Sequence, residues 1–464
     1  MATPSKAPVE PLVVILGSTG TGKSELAVEL ATRFRGEIIN ADAMQLYRGL
    51  PIITNKISSD EQRGIPHHLL GTIPLNTLPW DVTEFKKHAS QTIREIRSRG
   101  NLPILVGGTQ YYVEPLLFQD AILDDVENDM SQSFPILNAS AEEMLRELRR
   151  VDPVMAEKWH PNDRRKIQRS LEIYLQTGKT ASELYAEQEK RKESGIANEA
   201  ETTGPWENIL FWVYSERQVL CDRLDRRVDK MLDSGLLDEV RELHEFKSEQ
   251  ASTGQVLDMT KGIWQSIGYK QLEPYITAAT ADSTELERIK AAGLEDMKTA
   301  TRRYANYQNK WIRTKQIPRL KDRGTEAVNS LYLLDSTDVS MYASNVTEPA
   351  SRVLSQFLSG EARPAPVETS ALAEEVLAKA TEPAAKETPK QRVCEICHVT
   401  LVTEEGWTRH VEGNRHRKIA RKKKRLALVP SGDVTDVTED NVKGQEGVEA
   451  ARGDDEVEDT KEEK

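Results

Sequence analysis

Apolar positions in the first hundred or so residues follow two different periods. Leu12-Val13-Val14-Ile15-Leu16, Glu37-Ile38-Ile39 and Pro103-Ile104-Leu105-Val106 are short, nearly continuous apolar runs, the pattern of strands buried on both faces. Between the first two, Leu26, Ala27, Leu30, Ala31 and Phe34 recur at helical spacing. Strands alternating with helices predict a parallel sheet wrapped by helices over 11–119. Over 120–205 the strand signals vanish and charged helical patterns take over, from Glu142 to Arg150 and from Arg164 to Gln176, which predicts a helical insertion. Ile209-Leu210-Phe211-Trp212-Val213 returns to the sheet and opens a second core segment, 206–320. That segment holds a long amphipathic stretch, Arg217 to Phe246, and a helix ending in Trp311-Ile312-Arg313. Residues 321–359 complete the core. Residues 360–390 are rich in Ala, Pro, Glu and Thr without a packable apolar face, and are expected to be a flexible linker. A small module follows at 392–425, and 426–464 is expected to be a disordered acidic tail. The fold class is therefore α/β, a parallel sheet with a helical insertion and a small C-terminal module.

Composition narrows the partners. The chain of 464 residues carries a formal charge of −12, but Ala427 to Lys464 holds 13 acidic against 4 basic residues and accounts for −9 of it. The remainder is close to neutral, so the acidic balance does not exclude nucleic acid. Of three cysteines, Cys394 and Cys397 are paired in spacing and Cys221 stands alone, which is no disulfide framework and suits a reducing compartment. No run approaches the roughly 20 apolar residues of a membrane span, and Met1 to Glu10 has neither a signal core nor the Arg-rich character of a transit peptide. The expectation is a monomer that binds no membrane and is cytoplasmic, with nuclear and mitochondrial shares left open.

The chemistry begins at Gly17-Ser18-Thr19-Gly20-Thr21-Gly22-Lys23-Ser24, a G-x4-G-K-S loop between an apolar strand and an amphipathic helix. Its backbone N–H groups sit at a helix N-terminus, where the dipole favours anions, so the loop is read as a phosphate cradle. A nucleotide-hydrolysing enzyme or kinase usually follows such a loop with a strand ending in a magnesium-holding Asp. Here Ile104-Leu105-Val106 ends in Gly107-Gly108-Thr109. The other acid at the sheet's expected carboxyl edge is Asp42, which on position alone can be a metal ligand, a helix N-cap or a catalytic base.

Taken together, the loop, Asp42-Ala43-Met44-Gln45-Leu46-Tyr47, Val106-Gly107-Gly108-Thr109, Asp163-Arg164-Arg165-Lys166-Ile167-Gln168-Arg169 and Met231-Leu232-Asp233-Ser234-Gly235-Leu236 resemble the tRNA dimethylallyltransferases, also called tRNA isopentenyltransferases. The likeness runs from about Pro11 to Arg319. It implies that Gly17 to Ser24 hold the diphosphate of dimethylallyl diphosphate, and that the dimethylallyl group passes to N6 of the adenosine 3′ of the anticodon, position 37, in tRNAs reading codons that begin with U. It implies catalytic roles for Asp42 as base and for Thr109, Lys23 and Arg223, and magnesium bound through Ser24. Arg227, one helical turn past Arg223, is either an assistant or a solvated helix charge. The resemblance further assigns tRNA contacts to Asp42, Ala43, Met44, Gln45, Gln168 and Arg169. Arg302 and Arg303 join them from the basic and aromatic segment Lys298 to Arg313, which otherwise reads as a packed helix with a charged face. Family members often carry a basic pair where Asn306-Tyr307 stands, and the acidic segment Asp120 to Ser133 contributes no residue to the expected site.

Cys394-x2-Cys397-x12-His410-x5-His416 has the ligand types and spacing of a tetrahedral zinc site. With Trp407 inside it and a basic run from Arg415 to Arg425 after it, the module resembles matrin-type fingers found in eukaryotic members of the family. Contact with tRNA, a protein partner and nuclear import are the alternatives it leaves. Two other functions stay in view for the whole chain: a P-loop small-molecule kinase binding ATP, and a catalytically silent RNA-binding regulator.

Overall fold

Strands β1 (Pro11–Gly17), β2 (Gly36–Asn40), β3 (His67–His68), β4 (Leu102–Val106), β5 (Glu207–Tyr214) and β6 (Leu331–Asp335) form one sheet in the order β3-β2-β4-β1-β5-β6, every pair parallel. This computed structural model describes residues 6–118, 134–193, 206–254, 257–278, 282–381 and 391–427. Ile15 pairs with Val106 on one side and Phe211 on the other, so β1 is central. Its alternate residues feed two cores. Leu12, Val14 and Leu16 pack with Phe85, Ile93, Tyr112 and Trp212, while Val13 and Ile15 pack with Leu26, Leu30, Phe211 and Val353. Burial on both faces explains why β1 reads as an unbroken apolar run. β6 fills the edge beside β5 and is a strand that the sequence reading did not separate from the surrounding core.

Helix α1 (Lys23–Phe34) covers one face, and α2 (Val82–Ser98) and α3 (Gln110–Leu117) the other. The insertion holds α4 (Ala141–Val151), α5 (Pro153–Lys158), α6 (Arg164–Thr177) and α7 (Ala181–Glu193) around a separate core of Met144, Leu148, Ile167 and Leu171. Its helix starts are set locally: Ser140 and Glu143 form a capping box, Asp152 accepts the Met155 N–H and Asp163 the Lys166 N–H. The amphipathic stretch expected from Arg217 to Phe246 is two helices, α8 (Arg217–Asp233) and α9 (Leu236–Ser252), because Gly235 takes a φ of 102° that ends the first. After α10 (Tyr269–Thr277) the long α11 (Ser283–Trp311) lies against α8, tied by Arg302 to Asp225 and by Lys298 to Asp229.

The flexible linker expected over 360–390 is corrected in its first part. Beyond α12 (Ile317–Lys321), α13 (Thr325–Val328) and α14 (Glu348–Ser359), residues 366–368 form a short turn of 3-10 helix and α15 (Ala371–Thr381) packs on the main core. Ala373, Val376 and Leu377 recur at i, i+3 and i+4 and are buried, a narrow stripe that average composition conceals. The C-terminal module pairs β7 (Arg392–Val393) with β8 (Thr400–Leu401) and adds α16 (Glu404–Glu412) and α17 (Asn414–Ala427). The rest of the expected linker, the acidic segment before Phe134 and the tail after Ala427 lie outside the described residues. No described helix is long and apolar enough to cross a membrane.

Because β4 lies between β1 and β2, the chain crosses over it on leaving β1. The loops after β1, β2 and β4 therefore converge at the carboxyl edge, the usual ligand crevice of such sheets.

Candidate active site

These loops and α8 enclose a cavity of about 530 Å³ lined by Gly20, Lys23, Asp42, Gln45, Gly108 and Arg223 among others. The phosphate loop is shaped from its first residue. Gly17 has φ 142°, and a Cβ there would stand 2.3 Å from the Val213 carbonyl oxygen, so the turn needs glycine. Lys23 folds back over the loop, its Nζ donating to the Ser18 carbonyl at 2.7 Å. Burial holds its pKa down to about 8, against the pull of Asp42 and with a push from Arg227. Ser24 is exposed and lines the cavity.

Arg223 reaches across from α8 and donates to the carbonyls of Gly20 at 3.0 Å and Ser336 at 2.9 Å. Arg227 donates to Thr19 Oγ1 at 2.9 Å, and its Nε has no partner among the described residues. Burial lowers its pKa to about 10, so it remains a cation at neutral pH. Arg226 and Lys230 line the same cavity. Five cationic side chains thus face two carboxylates, Asp42 and Glu25, an excess that suits a polyanion. Two acids of α8, Asp225 and Asp229, are paired with α11 instead.

Asp42 takes one of the roles left open by sequence, that of a cap. Its Oδ1 accepts the Met44 N–H at 3.0 Å and caps the following turn, while Oδ2 stands beside Gly108. Burial raises its pKa, and the Met44 N–H and the Lys23 charge oppose the rise. A carboxylate with one oxygen anchored and the other by the cavity wall is fit to take a proton. Thr109 joins this turn to the next: its Oγ1 accepts the Ala43 N–H at 3.0 Å. The cavity wall there consists of Val106, Gly107 and Gly108, and Thr109 stands behind it.

The remaining expected residues divide. Gln45 lines the cavity, its amide donating to the Asn55 carbonyl at 3.0 Å, whereas Ala43 and Met44 pack against the core. Gln168 and Arg169 both bond Glu172 on α6 and are not among the residues lining the cavity. Arg302 is committed to Asp225 within the protein, and Arg303 is exposed.

The sequence matches the IPP transferase family over residues 45–315. It is 38% identical to the tRNA dimethylallyltransferase of Schizosaccharomyces pombe, spanning 90% of this chain and 97% of that one. The tRNA dimethylallyltransferase of Homo sapiens is 34% identical over 90% of this chain and 87% of its own. The solved structure of a eukaryotic dimethylallyltransferase acting on tRNA aligns at a TM-score of 0.74 and 33% identity, covering 90% of this chain and 98% of that one. The chain belongs to the IPP transferase family.

This IPP transferase also has, in its C-terminal module, a group of side chains that could hold a metal ion. The ligand atoms of Cys394, Cys397, His410 and His416 all lie within 4.8 Å of one another. His416 Nδ1 is 3.5 Å and 3.4 Å from the two sulfurs and 3.2 Å from His410 Nε2. Bonds of about 2.3 Å to sulfur and about 2.0–2.1 Å to nitrogen in a tetrahedron give edges close to these, so the four residues fit zinc. The module touches the insertion, where His160 Nε2 is 3.1 Å from the Thr400 carbonyl oxygen.

Sequence reasoning missed Arg226, Lys230 and Gln308 as lining residues. The first two had a legible signal, since Arg223, Arg226, Arg227 and Lys230 follow i, i+3, i+4, i+7 spacing on one face of α8. Gln308 had none.

The depressed Lys23 pKa has a checkable consequence. A bound anion favours its charged form, so above about pH 8 binding must take up a proton and affinity falls as pH rises. Affinity for sulfate, which does not titrate in this range, is expected to be flat below about pH 8 and to weaken by up to tenfold per unit above it in calorimetric titrations. The Lys23→Ala protein should show weak binding without that dependence.

Proposed function

We propose that this IPP transferase moves the dimethylallyl group of dimethylallyl diphosphate to N6 of adenosine 37, immediately 3′ of the anticodon, in tRNAs that read codons beginning with U. The carrying observation is the juxtaposition of Asp42 with the phosphate loop in one cavity whose cations outnumber its acids. An adenine amino group is a poor nucleophile because its lone pair is delocalised into the ring. A carboxylate that accepts its proton as the N6–carbon bond forms lowers the barrier. The carbon–oxygen bond to diphosphate breaks in the same displacement, and its electron pair leaves with the diphosphate. Lys23, the loop amides, Arg223 and Arg227 would meet that charge from the wall of the same cavity. Ser24 is the residue that would hold magnesium, which when bound supplies further neutralisation of the diphosphate.

The target adenosine must leave its stack to reach the cavity. Gln45 beside Asp42 is placed to meet it, while Gln168 and Arg169 on α6 and exposed Arg303 on α11 serve the flanking RNA. The zinc-bearing module extends that surface through its contact with the insertion and the basic α17. Protein lacking residues 391–464 is expected to show a raised KM for tRNA and an unchanged kcat at saturating tRNA. Its binding should lose about 0.7–0.9 log units of salt slope for each phosphate contact removed. Unchanged affinity and slope would reassign the module to protein partners.

Supplying the protein in parallel with ATP and with dimethylallyl diphosphate tests the reaction class. Release of diphosphate from the allylic donor that requires tRNA, with ATP left intact, is the expected result. Consumption of ATP without the allylic donor would make it a kinase.

A further inference from the structure

One side chain joins the two halves of the site, and it belongs to neither loop. Gln308, in the last third of α11, is 2% exposed. Its Oε1 accepts the Thr19 N–H of the phosphate loop at 2.8 Å, and its Nε2 donates to the Gly108 carbonyl at 2.9 Å. Only this orientation of the amide satisfies both partners, since reversing it would set donor against donor and acceptor against acceptor. Both anchor points are themselves held. Thr19 is fixed from its other side by Arg227, and Gly108 leads into Thr109, whose hydroxyl holds the Ala43 N–H next to Asp42. The fit at Gly108 is close enough that a Cβ there would come within 2.2 Å of the amide nitrogen.

We propose that Gln308 is a positioning residue for the transfer. Its carboxamide fixes the distance between the loop that holds the leaving diphosphate and the turn that holds the base Asp42. It thereby sets the line from N6 through the allylic carbon to the departing oxygen. The inference rests on the transferase reading above and deepens it, because it gives α11, otherwise a scaffold and an RNA-facing surface, a direct hold on the reacting geometry. An amide is required by this role: the residue must accept and donate at once, at one length. A carboxylate only accepts and would repel the Gly108 carbonyl, whereas a protonated carboxyl both accepts and donates.

Gln308→Ala and Gln308→Glu decide the matter, assayed with radiolabelled dimethylallyl diphosphate and tRNA, both saturating. Misplacement on the ångström scale costs about 10²-fold in rate, so the alanine variant is expected to lose about that much kcat while both substrates bind within about threefold of normal. The charged groups lining the same cavity are Lys23 from the phosphate loop, Asp42 after β2 and Arg223 and Arg227 on α8, and the hydroxyl of Tyr304 on its own helix, kept neutral by burial, is a hydrogen-bond neighbour of the amide. Wild-type activity must fall at low pH as Asp42 protonates. The rate of Gln308→Glu relative to wild type is expected to climb over the same range as its carboxyl gains the proton it needs.

A wild-type rate for Gln308→Ala would overturn the proposal. So would a Gln308→Glu ratio that is flat in pH with a lowered melting temperature, which marks a merely structural residue. Should the alanine variant not fold, the pH course of the glutamate ratio decides alone. Wild-type protein that moves no label into tRNA would instead defeat the transferase reading itself, so the two failures are distinct.

Discussion

Asp42→Asn is expected to lower kcat by about 10²- to 10⁴-fold, the usual cost of removing a positioned general base. The substitution keeps the shape of the side chain and its acceptor for the Met44 N–H, so the turn that Asp42 caps should persist and the donor should bind nearly as before. The pH profile carries the sharper signature. Burial raises the pKa of Asp42, and the base must be ionised to work, so wild-type kcat should fall as pH drops through a value above the ordinary carboxylate range. That acid limb should be absent from Asp42→Asn. An asparagine enzyme with normal turnover would leave Asp42 with its capping role alone.

Lys23→Ala is expected to abolish detectable transfer while tRNA binding survives. A charged hydrogen bond to the diphosphate is worth about 1.5–3 kcal/mol, which is a loss of roughly 10- to 150-fold in donor affinity. The same charge meets the leaving group, and removing one such group typically costs a further 10²- to 10³-fold in kcat. Folding should respond in the opposite direction. Lys23 is held in a buried place that lowers its pKa to about 8, with the Ser18 carbonyl as its hydrogen-bond partner among the described residues. Truncating it removes an unfavourable desolvation, so the melting temperature of Lys23→Ala is expected to equal or exceed that of wild type. Equal losses of tRNA and donor affinity would mean that the loop holds RNA phosphate instead.

The parts of the molecule that were legible in the sequence are those where one local signal decides the outcome. β1 is buried on both faces and therefore apolar at every position, and the glycines of the loop after it mark a backbone that must turn sharply. The Cys394, Cys397, His410 and His416 group, which could hold zinc, is announced by its spacing along the chain. What the sequence concealed depends on contacts across it. Gln308 gains its role from two partners about two and three hundred residues away, and nothing in its neighbourhood on α11 announces them. Arg302 reads as an RNA contact from its basic surroundings, yet Asp225 on the facing helix claims it. The segment after Gly360 misled for a related reason. Three apolar residues, Ala373, Val376 and Leu377, are buried where α15 packs against β6 and α12, although the composition around them is that of a linker. Truncation at Gly360 should accordingly destabilise the core as well as remove the C-terminal module, whereas truncation before residue 391 should spare the core.

Reacting the protein with tRNA and radiolabelled dimethylallyl diphosphate, then digesting the tRNA and locating the label by nucleoside mass spectrometry and sequencing, tests the central claim most directly. The account predicts label confined to N6 of the adenosine 3′ of the anticodon, with one diphosphate released per nucleoside modified and both slowed by about 10²- to 10⁴-fold with Asp42→Asn. Label on another atom or nucleotide, or diphosphate released without tRNA modification, would contradict it.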